Sequence, residues 1–167
     1  KQAHNQVLKK QMQDRKKGYL NALKDTGIKV SPDYIQGSGL FHVGEKPSES
    51  YYNSLGYECM NRLLLLPQRP TAVFMIHYFF SIGAIRAIYD HGLKIPDDIS
   101  LICIDDEPSA KFGAVPLTVI AQPLREIGSL AVDVLQEIIR NGSYNKKRNL
   151  MLQGNLIIRK STARAKK

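Results

Sequence analysis

Pro70-Thr-Ala-Val-Phe-Met-Ile76 and, after a helix-length interval, Leu93-Lys-Ile-Pro-Asp-Asp-Ile-Ser-Leu-Ile-Cys-Ile-Asp105-Asp106 are the two stretches that decide the fold of this chain. Each contains a short apolar run, 71–76 and 99–104, rich in Val, Ile and Phe and bounded by turn residues. Such runs suit strands buried on both faces. Between them, 79–89 reads as a helix that stops at Gly92, so the three elements form a βαβ unit with a right-handed crossover. In a parallel sheet, ligands gather at the carboxyl ends of the strands, where Asp105 and Asp106 stand.

Working outward, an opening helix is expected over 5–25, with Leu8, Met12, Tyr19 and Leu23 at helical spacing and Gly27 as its stop. A short strand is expected at 34–36. Residues 37–53, rich in Gly, Ser and Glu with Pro47 inside, read as a mobile surface loop. Ser54 is then placed to cap a helix whose Leu55, Cys59 and Leu63 share a face beside Met60 and Leu64, and which ends at Pro67 and Pro70. After a loop over 107–116, residues 117–121 read as extended. Pro123 opens a helix with the stripe Leu124, Ile127, Ala131, Leu135 and Ile138, stopped at Gly142. Extended runs at 150–152 and 156–158 flank Gly154. The fold class is α/β, a parallel sheet flanked by helices.

At 167 residues with 43% hydrophobic content, the chain can fill one domain core, or part of a larger one. No apolar run approaches the roughly 18 to 20 residues of a membrane helix, and Lys1 to Lys10 is too polar for a secretory segment. Cys59 and Cys103, each within an apolar pattern, read as buried free thiols, which fits a reducing cytoplasm. The net charge of +9 raises nucleic acid as a partner. Its distribution argues otherwise: Lys9, Lys10, Lys16 and Lys17 lie near one end, Lys146, Lys147 and Arg148 in a turn, and Arg159, Lys160, Arg164, Lys166 and Lys167 in a tail. These read as solvated faces and a frayed terminus, and no zinc-finger or RNP-type motif accompanies them.

Catalysis has little support. Adjacent residues on a strand point to opposite faces, so Asp105 and Asp106 do not form a working acid/base pair. No nucleophile elbow, Walker loop, Gly-x-Gly-x-x-Gly turn or metal-ligand cluster occurs, and His4, His42, His77 and His91 are scattered. No cofactor or metal is expected.

Pro70-Thr-Ala-Val-Phe, Gly83-Ala-Ile-Arg-Ala, Gly92-Leu-Lys-Ile-Pro-Asp-Asp-Ile-Ser, Ile104-Asp-Asp, Pro116-Leu-Thr, Gln122-Pro and Leu156-Ile-Ile-Arg-Lys-Ser-Thr-Ala follow one another in an order and spacing with a precedent. With Arg15-Lys-Lys-Gly-Tyr at its start, the chain resembles, as far as Ala163, the effector-binding domain of lactose-repressor/purine-repressor (LacI/GalR) transcription regulators. The resemblance implies a periplasmic-binding-protein-like fold, type I, of two α/β lobes that close on a small molecule. It assigns 1–121 and 154–160 to the second lobe, 122–153 to a piece of the first lobe, and 161–167 to a basic tail. It also implies that a helix-turn-helix headpiece and a strand stand before Lys1 in the complete protein. The apolar helix face around Leu124 and Leu135 is then expected to be without its partner.

The resemblance further implies effector contacts. Asp105 accepts hydrogen bonds and Arg15 donates them, a pairing suited to a polyol or purine. Lys9 falls at a second basic contact, and Leu40 or Phe41 near an aromatic that stacks on the ligand. His77 and Tyr78 stand where many members carry Asn-Asp; the imidazole can donate or accept, and the phenol ring can stack. The plainer alternatives are a turn or capping carboxylate for Asp105, a surface helix residue for Arg15, an exposed lysine for Lys9, and a backbone-bonded ring for His77. Phe79, Ile82, Ile85, Arg86 and Phe112 are the expected contacts of a C2 homodimer, with core packing the alternative for Ile85. The function implied is effector sensing for a DNA-binding regulator. The rivals are a solute-binding protein of a sugar transport system, which shares the fold, and an α/β enzyme.

Overall fold

A computed structural model of the chain describes residues 2–37, 48–141 and 150–165, with side chains from Lys10 onward. The deciding stretches form β1 (Ala72–Met75) and β2 (Ser100–Ile104), joined through helix α3 (Tyr78–Asp90). They pair in parallel with Val73 opposite Leu101 and Met75 opposite Cys103, and β3 (Thr118–Ala121) continues the parallel sheet beyond β2. A last strand, β4 (Asn155–Ile157), runs antiparallel to β3, giving the order β1-β2-β3-β4. The βαβ reading therefore holds.

Period-two alternation turns Leu101 and Cys103 of β2 to one face, and both are fully buried. Met60, Leu63 and Leu64 of α2 (Glu49–Leu64) and Ala84, Ala87 and Ile88 of α3 join them in the same core, with Ile99, Leu117 and Val119. Fully burying a side chain such as Leu101 or Ile88 contributes about 1.5–3 kcal/mol. The two helices cross without side chains between them at two points. A Cβ on Gly83 would collide with the Asn53 carbonyl and the Tyr57 amide, and one on Gly56 with the Phe80 backbone. Only glycine permits this approach.

Several expectations are corrected. Helix α2 begins at Glu49, inside the stretch read as loop, because Ser48 rather than Ser54 is its cap: the Ser48 hydroxyl accepts from the Tyr51 amide at 3.2 Å. Ser54 is an exposed interior residue of that helix. Tyr34 does not begin a strand. Ser31 caps, and Pro32 with its fixed φ opens, a 3-10 helix over Pro32–Tyr34, whose last turn closes with the Ile35 amide bonded to the Pro32 carbonyl at 3.0 Å. The loop read over 107–116 contains a short helix, α4 (Pro108–Phe112), opened by proline and anchored by buried Ala110. Leu150 and Met151 form no strand and are exposed.

The opening helix, α1 (Gln2–Asp25), matches its expectation closely. So does α5 (Leu124–Asn141), which has no buried residue; Leu124, Leu135 and Ile139 of its apolar side are 70%, 55% and 72% exposed. Gly142, its expected stop, lies outside the described residues, as do Lys146, Lys147 and Arg148.

Residues 159–163 of the segment read as a frayed tail are anchored instead, and Lys166 and Lys167 lie outside the described residues. Ser161 is fully buried; its hydroxyl donates to the Leu101 carbonyl at 2.6 Å and accepts from the Thr118 amide at 2.7 Å, stitching β2 to β3. Arg159 donates to Asp106 at 2.6 Å and to the Leu117 carbonyl at 2.9 Å. Hydroxyls and a guanidinium that reach backbone groups at strand ends satisfy polar atoms that burial would otherwise leave unpaired.

Candidate functional site

The carboxyl ends of β1, β2 and β3 lie side by side, and each delivers a polar residue there. Beyond β1 stands His77, beyond β2 Asp105, and beyond β3 Gln122. His77 and Asp105 each lie two residues past the paired Met75 and Cys103, just beyond the ends of adjacent strands. Helix α1 brings the fourth group. The Arg15 guanidinium donates to the Ile76 carbonyl at 3.0 Å, which holds α1 against the end of β1.

Asp105 has φ +80°, a left-handed conformation that Asp tolerates better than most residues. The turn is held by its amide, which donates to the Ile120 carbonyl at 3.1 Å. Its carboxylate Oδ1 accepts from Gln122 Nε2 at 2.5 Å. Asp106 serves elsewhere: it binds Arg159, and Lys111 Nζ lies 3.3 Å from its other oxygen. The two carboxylates have separate partners, as their alternation on a strand requires.

His77 is the N-cap of α3, and its Nδ1 accepts from the Phe79 amide at 3.3 Å. A capping acceptor has no proton, so the neutral ring carries its hydrogen on Nε2. The ring stacks with Tyr52 at 5.6 Å and with Phe79 at 5.3 Å, and Phe80 meets it edge-on at 6.4 Å. These contacts fix the imidazole at the end of β1.

Tyr78 goes another way. Its ring is 7% exposed, belongs to the core, and tilts against Phe79 at 5.7 Å. It packs the start of α3 and presents no open face for stacking. Lys9 lies on α1, but its side chain, like Leu40 and Phe41 altogether, lies outside the described residues. The structure thus brings Arg15, His77 and Asp105 to one edge. Sequence reasoning missed Gln122 and Tyr52. The position of Gln122 after a third parallel strand was the available signal.

Of the residues read as dimer contacts, Ile82 is 41% and Phe112 is 86% exposed. Phe79 and Ile85 are half-buried against the core. Arg86 is exposed, and its Nε binds Asp90 of the same helix at 2.9 Å; that bond holds the Asp90 carboxyl below the usual carboxylate range. An apolar recess between α2, α3 and β1, lined by Leu55, Met60, Leu63, Val73 and Phe80, offers little to a polar ligand. Among the described residues no cluster of metal-ligating side chains occurs, and no helix is long and apolar enough to cross a membrane.

A mostly parallel sheet with a guanidinium, an imidazole, a carboxylate and an amide gathered on its carboxyl edge is an arrangement in which α/β domains hold small polar molecules. The chain belongs to the periplasmic binding protein-like domain family, whose pattern matches residues 3–162. It is 36% identical over 147 residues to the HTH-type transcriptional repressor PurR of Pasteurella multocida, covering 88% of this chain and 40% of that protein. It is 36% identical over 149 residues to the ribose operon repressor of Haemophilus influenzae, covering 89% and 41%. A LacI-family regulatory protein from Chloroflexus aggregans superimposes with a TM-score of 0.74 at 30% identity, over 90% of this chain and 50% of that one. The chain therefore spans about two fifths of the length of the curated relatives it matches.

Proposed function

We propose that this chain is part of the effector-sensing domain of a transcription regulator, and that it binds a small polar metabolite, a sugar or a related compound, in the cleft bounded by the carboxyl edge of its sheet. The observation that carries the reading is the convergence of Arg15, His77, Asp105 and Gln122 on that edge. Residues 1–121 and 154–160 supply one lobe. Residues 122–153 belong to the other, which accounts for an apolar face on α5 with no buried residue.

Effector binding favours one arrangement of the lobes, and through it one spacing of two DNA-binding headpieces in a homodimer. Ile82 and Phe112 are the exposed apolar anchors of the dimer contact, with Phe79, Ile85 and Arg86 around them. Both curated relatives described above are named as repressors, which favours regulation over solute transport. The test is operator binding by the full-length regulator, followed by fluorescence anisotropy in the presence of a panel of sugars and nucleobases. A ligand-dependent change that Asp105→Ala removes is the expected result. A full-length protein that binds no DNA overturns the reading.

A further inference from the structure

We infer that the β1 side of the site is a donor-only surface, and that it selects an effector carrying an acceptor-only group, a carboxylate or ring carbonyl, next to a hydroxyl or N–H. The inference rests on the cleft proposed above and names the ligand chemistry that the cleft takes. At the end of β1, Nδ1 of His77 spends its one lone pair on the Phe79 amide. The remaining polar atom, Nε2–H, has no partner among the described residues and can only donate.

Arg15 stands at the same strand end with one guanidinium nitrogen on the Ile76 carbonyl, and its other N–H groups are donors as well. A carboxamide at position 77 would differ: its oxygen has a second lone pair, so it can cap the helix and still accept from a ligand hydroxyl. The imidazole cannot. Its ring is also held in place by Tyr52 and Phe79, so it is not free to rotate and exchange its nitrogens.

The β2 side has the opposite character. Asp105 Oδ1 is bonded to Gln122, and the carboxylate's remaining capacity is wholly for accepting. His77 and Asp105 stand just past the ends of adjacent parallel strands, so the two characters border the same edge of the sheet. A ligand fits when it turns its acceptor group to the β1 side and its hydroxyl or N–H to the β2 side. A neutral hexose or pentose brings hydroxyls to both sides. Each such hydroxyl accepts from these donors as water does, but its own proton finds no acceptor in His77 Nε2–H or the Arg15 guanidinium, and where burial leaves that proton unpaired the cost is about 1–3 kcal/mol.

The experiment uses the full-length regulator and isothermal titration with D-gluconate, hypoxanthine, D-glucose and D-ribose. Gluconate or hypoxanthine is expected to bind at least tenfold tighter than either neutral sugar, and which of the two binds tells a carboxylate from a ring carbonyl. His77→Asp keeps an N-cap and a folded α3 but turns the donor into an acceptor. It is expected to lower gluconate or hypoxanthine affinity by about 100-fold or more, whereas His77→Asn, which also caps and still donates, loses less than about tenfold. Equal or tighter binding of glucose or ribose, abolished by Asp105→Ala, overturns the donor-only inference and leaves the sensing function standing. Equal losses in His77→Asp and His77→Asn also overturn it. No binding by any of the four ligands to a protein that still binds operator DNA overturns the inference and the effector-sensing reading together.

Discussion

Gln122 Nε2 donates to Asp105 Oδ1 from the next strand end, while Asp105 itself is held at φ +80°. The residue proposed to contact the effector is therefore one whose backbone a glycine would adopt more easily. A side chain in this region costs roughly 1–2 kcal/mol relative to glycine. Asp105→Gly is expected to be about 1 kcal/mol more stable than Asp105→Ala in urea unfolding, while both lose effector binding to the same extent. Equal midpoints for the two variants would show that the turn relaxes around alanine.

Asp106 joins the end of β2 to the segment after β4 through Arg159 at 2.6 Å and to α4 through Lys111 at 3.3 Å, with Asp106 and Arg159 side chains only 17% and 14% exposed. Removing one partner of a buried pair leaves the other charge uncompensated, at about 3 kcal/mol or more when burial is complete. Here the remaining exposure and the Leu117 carbonyl, which also accepts from Arg159, reduce that. Asp106→Ala is expected to lose about 2 kcal/mol by urea titration, and Asp106→Ala with Arg159→Met less than the sum of the two single changes. Strict additivity in that double-mutant cycle would refute the coupling.

The parallel strands were legible because each lies in a short apolar run bounded by turn residues, although Leu63 to Leu66 and Leu150 to Leu152 are apolar runs that form no strand. Helix starts were less so. Ser48 and Ser54 are chemically equal caps, and only the backbone tells which one turns. The role of His77 was half legible: its place after β1 followed from the run 71–76, but that its Nδ1 caps α3 depends on χ angles no sequence prints. Gln122 and Ser161 were missed for a different reason. Each acts across strands, on Asp105 and on Leu101 and Thr118, and a local pattern carries no trace of partners tens of residues away.

Gly83 brings α3 against the backbone of α2 at Asn53 and Tyr57. A methyl group there meets main-chain atoms, which cannot rotate aside as a side chain does, so the helices must separate. Gly83→Ala is expected to cost about 3 kcal/mol or more, beyond the small gain that alanine brings to an isolated helix. Gly128 on α5 has open space around its Cβ position and is the control: Gly128→Ala should be neutral or stabilising by up to about 1 kcal/mol. Similar melting temperatures for the two variants would overturn the close-crossing account.

Phe112 and Ile82 test the proposed dimer apart from the fold. Both are exposed, so Phe112→Glu combined with Ile82→Glu is expected to change stability by less than about 0.5 kcal/mol per site. The same pair should convert a full-length dimer to monomer in light scattering, since buried charge at the centre of an apolar contact costs several kcal/mol. A dimer that survives both changes places the contact on another face.

Cys103 is fully buried on β2, and burial, aided by Asp105 and Asp106 and opposed by Arg159, pushes its thiol up to about 12. The half-buried Cys59 is raised as well, chiefly by burial. An unfolded thiol titrates near 8.5. Below that value both states hold the proton and pH has no effect through Cys103. Above it the unfolded state releases the proton while the folded state keeps it until about 12, so stability falls as pH rises, by at most about 1.4 kcal/mol per pH unit. Cys103→Ala removes this slope although it costs stability at neutral pH. In urea unfolding between pH 7 and 10.5, the gap between the native chain and Cys103→Ala is therefore expected to narrow steadily above pH 9. Parallel curves would mean that the thiol ionises alike in both states, and a widening gap would reverse the sign.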